Sequence, residues 1–425
     1  MDMKVLAAIV ISLIVGLGIG YGAAVAMMPS GGGTTQGGGG TSTTSALRPT
    51  TKVYKIGFTL PLSGSLSSIG KPWERVVEMG IKDLNAKAKA MGCNVRFEAV
   101  VLDDATQDEK ALQNVQTFAQ QGIKLVIGPA ASSQVKAVKS YADSNHIVII
   151  SPSSTAPTLS IPDDFIFRTV GSDALQAKVL ATLVAQEGFK KVVVFYRNDE
   201  YGTAFAQFFK KYFENDFGGS AELQSYTTDL SDYSSEVNSL SSKVSSSGAK
   251  AVVLISFDTD GANILSHASQ NPVLSKIRWF ASEGIHGASE LLQPSLASFL
   301  MNVKFMGTRP VTPSNVLYKD FVKRFKAETG EDPPVFSENL YDAIQIAGMA
   351  ILMADKYDGD ALKTVLPEVA KNYYGPSGWT LLDDNGDKAT QNYAIWTVSK
   401  AASGKYEFKD VGTYEHGSVI FMEHP

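Results

Sequence analysis

Two short loops in this sequence carry side chains suited to holding a small anion. One is Gly128-Pro129-Ala130-Ala131-Ser132-Ser133, and the other is Ser151-Pro152-Ser153-Ser154-Thr155-Ala156-Pro157. Both are rich in hydroxyls and neither contains a basic side chain. Backbone N–H groups at a helix start carry partial positive charge. With the hydroxyls of Ser132, Ser133 and Thr155 they can bind a carboxylate without a formal cation. This is chemistry for holding a ligand rather than for converting one. No histidine or lysine motif adjoins Ser132 or Thr155, and a GxSxG pattern is absent.

The elements flanking these loops would place them at one edge of a sheet. Lys124-Leu125-Val126-Ile127 and Ile147-Val148-Ile149-Ile150 are continuous apolar runs of the kind that fill a buried parallel sheet. Between them Val135, Val138 and Ala142 fall at helical spacing, so the unit reads strand, loop, helix, strand, loop. In open α/β sheets ligands bind beyond the carboxyl ends of the strands, where both loops lie.

The alternation extends along the chain from Val53. Strands are expected at Val53 to Leu60, Val95 to Leu102, Lys191 to Tyr196, Ala221 to Tyr226, Ala251 to Phe257, Arg278 to Ala281 and from Val303. Helices are expected near Val76 to Leu84 (with Pro72 in the first turn), Ala111 to Ala119, Gln176 to Gln186, Ala204 to Tyr212, Val237 to Val244, Ala262 to Ala268, Tyr318 to Glu328 and Leu340 to Ala354. Short strands close the chain, with a hairpin turn at Asn385-Gly386.

With 425 residues the chain is too long for one ordinary core, and two lobes are the default. A formal net charge of −5 argues against a nucleic-acid partner. The single cysteine, Cys93, excludes an internal disulfide, and the five histidines show no metal-ligand spacing, so no metal and no cofactor are expected.

Val5 to Met28 has no charged residue and is long enough as a helix to cross a ~30 Å hydrocarbon core. A membrane anchor over residues 1–28 is therefore expected. A cleaved signal ending near Ala24-Val25-Ala26 is the alternative, and either implies export. Residues 29–51 are mostly glycine, threonine and serine, a flexible tether whose ends would lie about 25 to 30 Å apart.

From Val53 to the C-terminus the chain resembles the type I periplasmic binding proteins, specifically the branched-chain amino acid class that feeds ABC importers. The resemblance rests on Ile56-Gly57-Phe58-Thr59-Leu60-Pro61-Leu62-Ser63-Gly64, the two serine-rich loops, Asn198-Asp199-Glu200-Tyr201-Gly202, Ser282-Glu283-Gly284, Gly375-Pro376-Ser377-Gly378 and Asp384-Asn385-Gly386-Asp387, in that order. It implies two Rossmann-like α/β lobes closing on a hinge. Lobe 1 would comprise residues 53–171 and about 305–377, and lobe 2 residues 172–304 and about 378–425. It further implies that Ser132 and Thr155 hold a ligand carboxylate and that Glu283 meets an ammonium, whose shell the Ser153 carbonyl and the Thr155 hydroxyl would complete. Tyr201 and Phe257 would be aromatic walls.

Where the family often has an aromatic residue before the glycine of the opening loop, this chain has Ile69 before Gly70, with Trp73 close behind. The function implied is an extracytoplasmic solute receptor, performing no chemistry, that binds an apolar or branched-chain amino acid and presents it to a permease. A receptor for short amides or urea, and a surface sensor not coupled to transport, are the alternatives.

Overall fold

The computed structural model describes residues 50–312 and 314–424. The expected anchor over residues 1–28 and most of the tether lie outside the described residues. Among the described residues no helix is long and apolar enough to cross a membrane. Residues Lys52–Pro425 form one compact unit containing two sheets.

The chain begins with β1 (Lys52–Leu60), α1 (Ser67–Ala90), β2 (Val95–Asp103), α2 (Asp108–Gln120), β3 (Leu125–Ile127), α3 (Ser132–Asn145), β4 (Val148–Ser151) and β5 (Ile166–Arg168). These strands make an all-parallel sheet in the order β2-β1-β3-β4-β5. Leu125–Ile127 and Val148–Ser151 are buried throughout, as continuous apolar runs in a covered parallel sheet must be. Pro72 lies within α1 rather than in its first turn, because the helix already starts at Ser67.

The second lobe runs α4 (Asp173–Gln186), β6 (Lys191–Arg197), α5 (Glu200–Asn215), β7 (Ser220–Tyr226), α6 (Ser234–Ser247), β8 (Ala251–Ile255), α7 (Asp258–Gln270), β9 (Arg278–Ala281), α8 (Pro294–Asn302) and β10 (Met306–Val311). The chain then returns to pack α9 (Val316–Thr329), α10 (Ser337–Met353) and α11 (Gly359–Lys371) on the first lobe, where α10 lies against α1. A small ladder of β11 (Tyr374–Gly375) and β12 (Gly378–Trp379) follows. The chain ends with β13 (Asn392–Lys400), β14 (Tyr406–Glu415) and β15 (Ser418–Phe421). The larger sheet has the order β15-β14-β13-β10-β9-β8-β6-β7 and is antiparallel only from β10 outward.

The chain therefore crosses between sheets three times: after β5, after β10, and before β13. Two expected boundaries move. The strand near residue 305, expected to begin the return to lobe 1, is β10, which pairs with β9 and β13 in the larger sheet. The last crossing falls beyond residue 377, because Asp387 bridges to Arg168 at the end of β5. Long-range pairing decides both boundaries, and local composition carries no trace of it.

The strand orders also locate a site. In the smaller sheet the order reverses between β1 and β3, and in the larger one between β6 and β8. Loops leaving adjacent strands at such a switch point run to opposite faces of the sheet and open a crevice at the carboxyl edge.

Candidate ligand-binding site

The two crevices meet in one cleft. From the first lobe it is lined by Leu66, Ser68 and Ile69 after β1, by Ala130, Ala131 and Ser132 after β3, and by Ser153 and Thr155 after β4. From the second come Tyr201 after β6, Phe257 and Asp258 after β8, and Glu283, Gly284 and His286 after β9. Val335 and Phe336, just before α10, complete the wall. The remaining space is small, about 40 Å³. That is room for about three waters, so an amino acid can enter only as the lobes part.

At the carboxylate end, Ala131 is the N-cap of α3; Gln134 Oε1 accepts from its N–H at 3.1 Å, but Ala131 has no side-chain acceptor for the first helical N–H groups. The Ser132 hydroxyl does not cap its own helix either. It accepts from the N–H groups of Thr155 and Ala156, both at 3.2 Å, and so ties the first loop to the second while keeping its own proton to donate. Ser151 and Ser153 brace the same junction by donating to the carbonyls of Pro129 (2.7 Å) and Ala130 (3.0 Å).

Arg168 fixes the second loop from behind. Its guanidinium is fully buried and donates to the carbonyls of Ser154 (3.1 Å) and Ala156 (2.9 Å), on either side of Thr155. It also donates to the Ser160 hydroxyl (2.9 Å) and to both oxygens of Asp387 (2.5 Å each).

The opposite end is acidic. Glu283 starts a short 3-10 turn and accepts from Gln176 Nε2 at 2.6 Å. Burial pushes its carboxyl up to about 7 against these hydrogen bonds. Gly284 sits beside it because a Cβ there would fall 2.3 Å from the Ser256 carbonyl. Asp173, at the start of α4, is wholly buried, and neither of its oxygens makes a well-directed hydrogen bond, although the Thr155 hydroxyl lies beside it. Burial and the neighbouring Glu283 push Asp173 well above the usual carboxylate range. Once ionised, such buried carboxyls attract a cation.

The wall is aromatic and preset. Tyr201 and Phe257 stack at 5.4 Å, and the Arg197 guanidinium lies over the Phe257 ring, 3.6 Å from its centroid. Arg197 itself is held by Asp199 and Asp260. Phe336 adopts a left-handed backbone with φ +67°, unusual for a bulky residue. Strain of this kind persists where the surroundings impose it.

Of the residues expected from the sequence, Ser132, Ser153, Thr155, Tyr201, Phe257, Glu283 and Ile69 are brought together in the lining. Ser133 and Trp73 are not. Ser133 is one position further round α3 and lies beside Asp108 of α2. Trp73, one helical turn beyond Ile69, is enclosed in the core with Val76 and Val77. Sequence reasoning missed Asp173, Gln176, Asp258, His286 and Phe336. The acid-bearing helix starts at Asp173 and Asp258 offered a local signal, but helix starts commonly carry acids.

The fold and cleft define a two-lobed α/β protein with a cleft between its lobes. A family model for the receptor family ligand binding region matches residues 72–401. The chain belongs to this family of type I periplasmic binding proteins, which includes the substrate-binding proteins of branched-chain amino acid transporters. An uncharacterized protein of Methanocaldococcus jannaschii is 28% identical over 366 residues, 82% of this chain and 87% of its own. The leucine-, isoleucine-, valine-, threonine- and alanine-binding protein of Pseudomonas aeruginosa is 24% identical over 352 residues, 82% of this chain and 91% of its own. The leucine binding protein of Thermotoga maritima superposes with a TM-score of 0.72 at 22% identity, covering 87% of this chain and 99% of its own.

Proposed function

We propose that this protein is an extracytoplasmic receptor that closes around a free amino acid and delivers it to an ABC permease without chemical change. One observation carries the reading: across a single small cleft the start of α3, with Ser132 and Thr155, faces the buried acid Glu283, while Asp173 is buried beside Thr155 and Glu283 outside the lining. The α-carboxylate would take the first and the α-ammonium the second. Each charge then leaves water only for charge-assisted hydrogen bonds. Leu66, Ile69, Phe257, Val335 and Phe336 would surround the ligand side chain. Binding by the Pseudomonas relative and the transporter association of the family support the amino-acid assignment. The uncharged N-terminal segment would tether the receptor to the membrane, and the intact mass of the native protein tests that.

A thermal-shift panel of aliphatic amino acids against their amides tests the ligand class. The acids should stabilise the protein and the amides, lacking the carboxylate, should do so far less. Stabilisation by amides or urea alone would point to the second reading, which Ile69 in place of the family's aromatic residue raised.

A further inference from the structure

Asp258 is an anomaly in the wall. It lines the cleft, is 7% exposed, and takes no part in holding either charge of an amino-acid backbone. The lining holds two carboxylates, Glu283 and Asp258, and no lysine or arginine. His286 cannot serve as the missing cation, because burial against Trp396 and Phe408 keeps its pKa well below the usual histidine value. Arg197, behind Phe257, is already engaged by Asp199 and Asp260.

The partners of Asp258 leave it acceptor capacity. Oδ2 accepts from the Ser68 hydroxyl across the cleft, and Oδ1 accepts from the Thr259 N–H at 3.0 Å. The backbone N–H of Asp258 also bears on it, but a carboxylate offers about four acceptor positions, so capacity is left. Closing the lobes over a wholly aliphatic side chain would bury that remaining capacity against CH groups, which is costly for a charged group. Burial already pushes this carboxyl up to about 6. An apolar residue at this position would suit an aliphatic ligand better.

Resting on the amino-acid reading above, we propose that Asp258, oriented by Ser68, accepts a hydrogen bond from a hydroxyl or amino group on the ligand's side chain. The receptor then selects an amino acid bearing a side-chain donor over its aliphatic isostere.

Calorimetry on the full-length protein with two nearly isosteric pairs, threonine against valine and 2,4-diaminobutyrate against norvaline, tests this. The donor-bearing member of at least one pair should bind about tenfold tighter or more. Asp258→Leu should abolish or invert that preference, and Asp258→Ala replaces it if the leucine variant fails to fold. Asp258→Asn should keep a preference for the hydroxyl but lose one for the ammonium, which separates the two sources. Equal or tighter binding of the aliphatic member in both pairs, or a preference that survives Asp258→Leu, overturns the proposal. If no free amino acid binds the wild-type protein, the receptor reading itself fails and takes this inference with it.

Discussion

Glu283 shows how much a neighbourhood changes a residue. On a surface it would be ionised at neutral pH. Buried beside Asp173, Gln176, Tyr201 and Tyr393, its carboxyl is raised from 4.5 to about 7. An ammonium needs the ionised form, so binding below about pH 7 must expel a proton. Affinity should therefore rise with pH, by at most about tenfold per unit, and level off above about 7. Stability of the ligand-free protein runs the other way. The folded state holds this proton more tightly than the unfolded chain, so the contribution falls as pH climbs from 4.5 towards 7. Calorimetry in buffers of different ionisation enthalpy measures the proton directly. A pH-independent affinity would remove Glu283 from the ammonium contact. Glu283→Ala should weaken binding by about 2 to 5 kcal/mol, as for one partner lost from a buried charged pair.

Elements meet at the crossings, and there the decisive contact is between Arg168 and Asp387. Arg168 closes β5, and Asp387 sits in the turn that precedes the last crossing. Their backbones also pair, Arg168 N–H to the Gly386 carbonyl at 2.9 Å and Lys388 N–H to the Arg168 carbonyl at 3.0 Å. The first crossing is held to α10 by a reciprocal pair between Thr169 and Asn339, at 2.6 and 3.0 Å. The loop bearing Thr155 is thus anchored to segments that cross between the lobes. Removing one member of a buried ion pair strands the other, so Asp387→Ala should cost about 3 to 5 kcal/mol of stability. Urea unfolding measures this, and a loss below about 1 kcal/mol would show the pair to be dispensable.

At the scale of the whole molecule, the two lobes touch across the cleft. Besides Ser68 and Asp258, the lobes meet where Lys136 of α3 pairs with Glu200 of α5 at 2.6 Å and Thr158 donates to the same acid. Lys136 is largely exposed, so this clasp contributes at most about 1 kcal/mol. If the proposed receptor closes on its ligand, so weak a clasp would leave the ligand as the main stabiliser of the closed form. Saturating amino acid should reduce the radius of gyration in solution scattering. An unchanged profile with ligand demonstrably bound would exclude hinge closure.

Local signals in the sequence determined a good deal: the alternation of strands and helices, the position of the two serine-rich loops beyond buried strands, and the turn at Asn385-Gly386. Apolar periodicity and turn chemistry act over a few residues and can be read there. Strand order, and with it the meeting of the two crevices, was decided only by tertiary pairing. So were the placement of β10 in the larger sheet, the withdrawal of Trp73 into the core, and the union of Asp173 with Glu283 and of Arg168 with Asp387. Desolvation and long-range contact give these residues their roles, and both arise only when distant segments exclude water together.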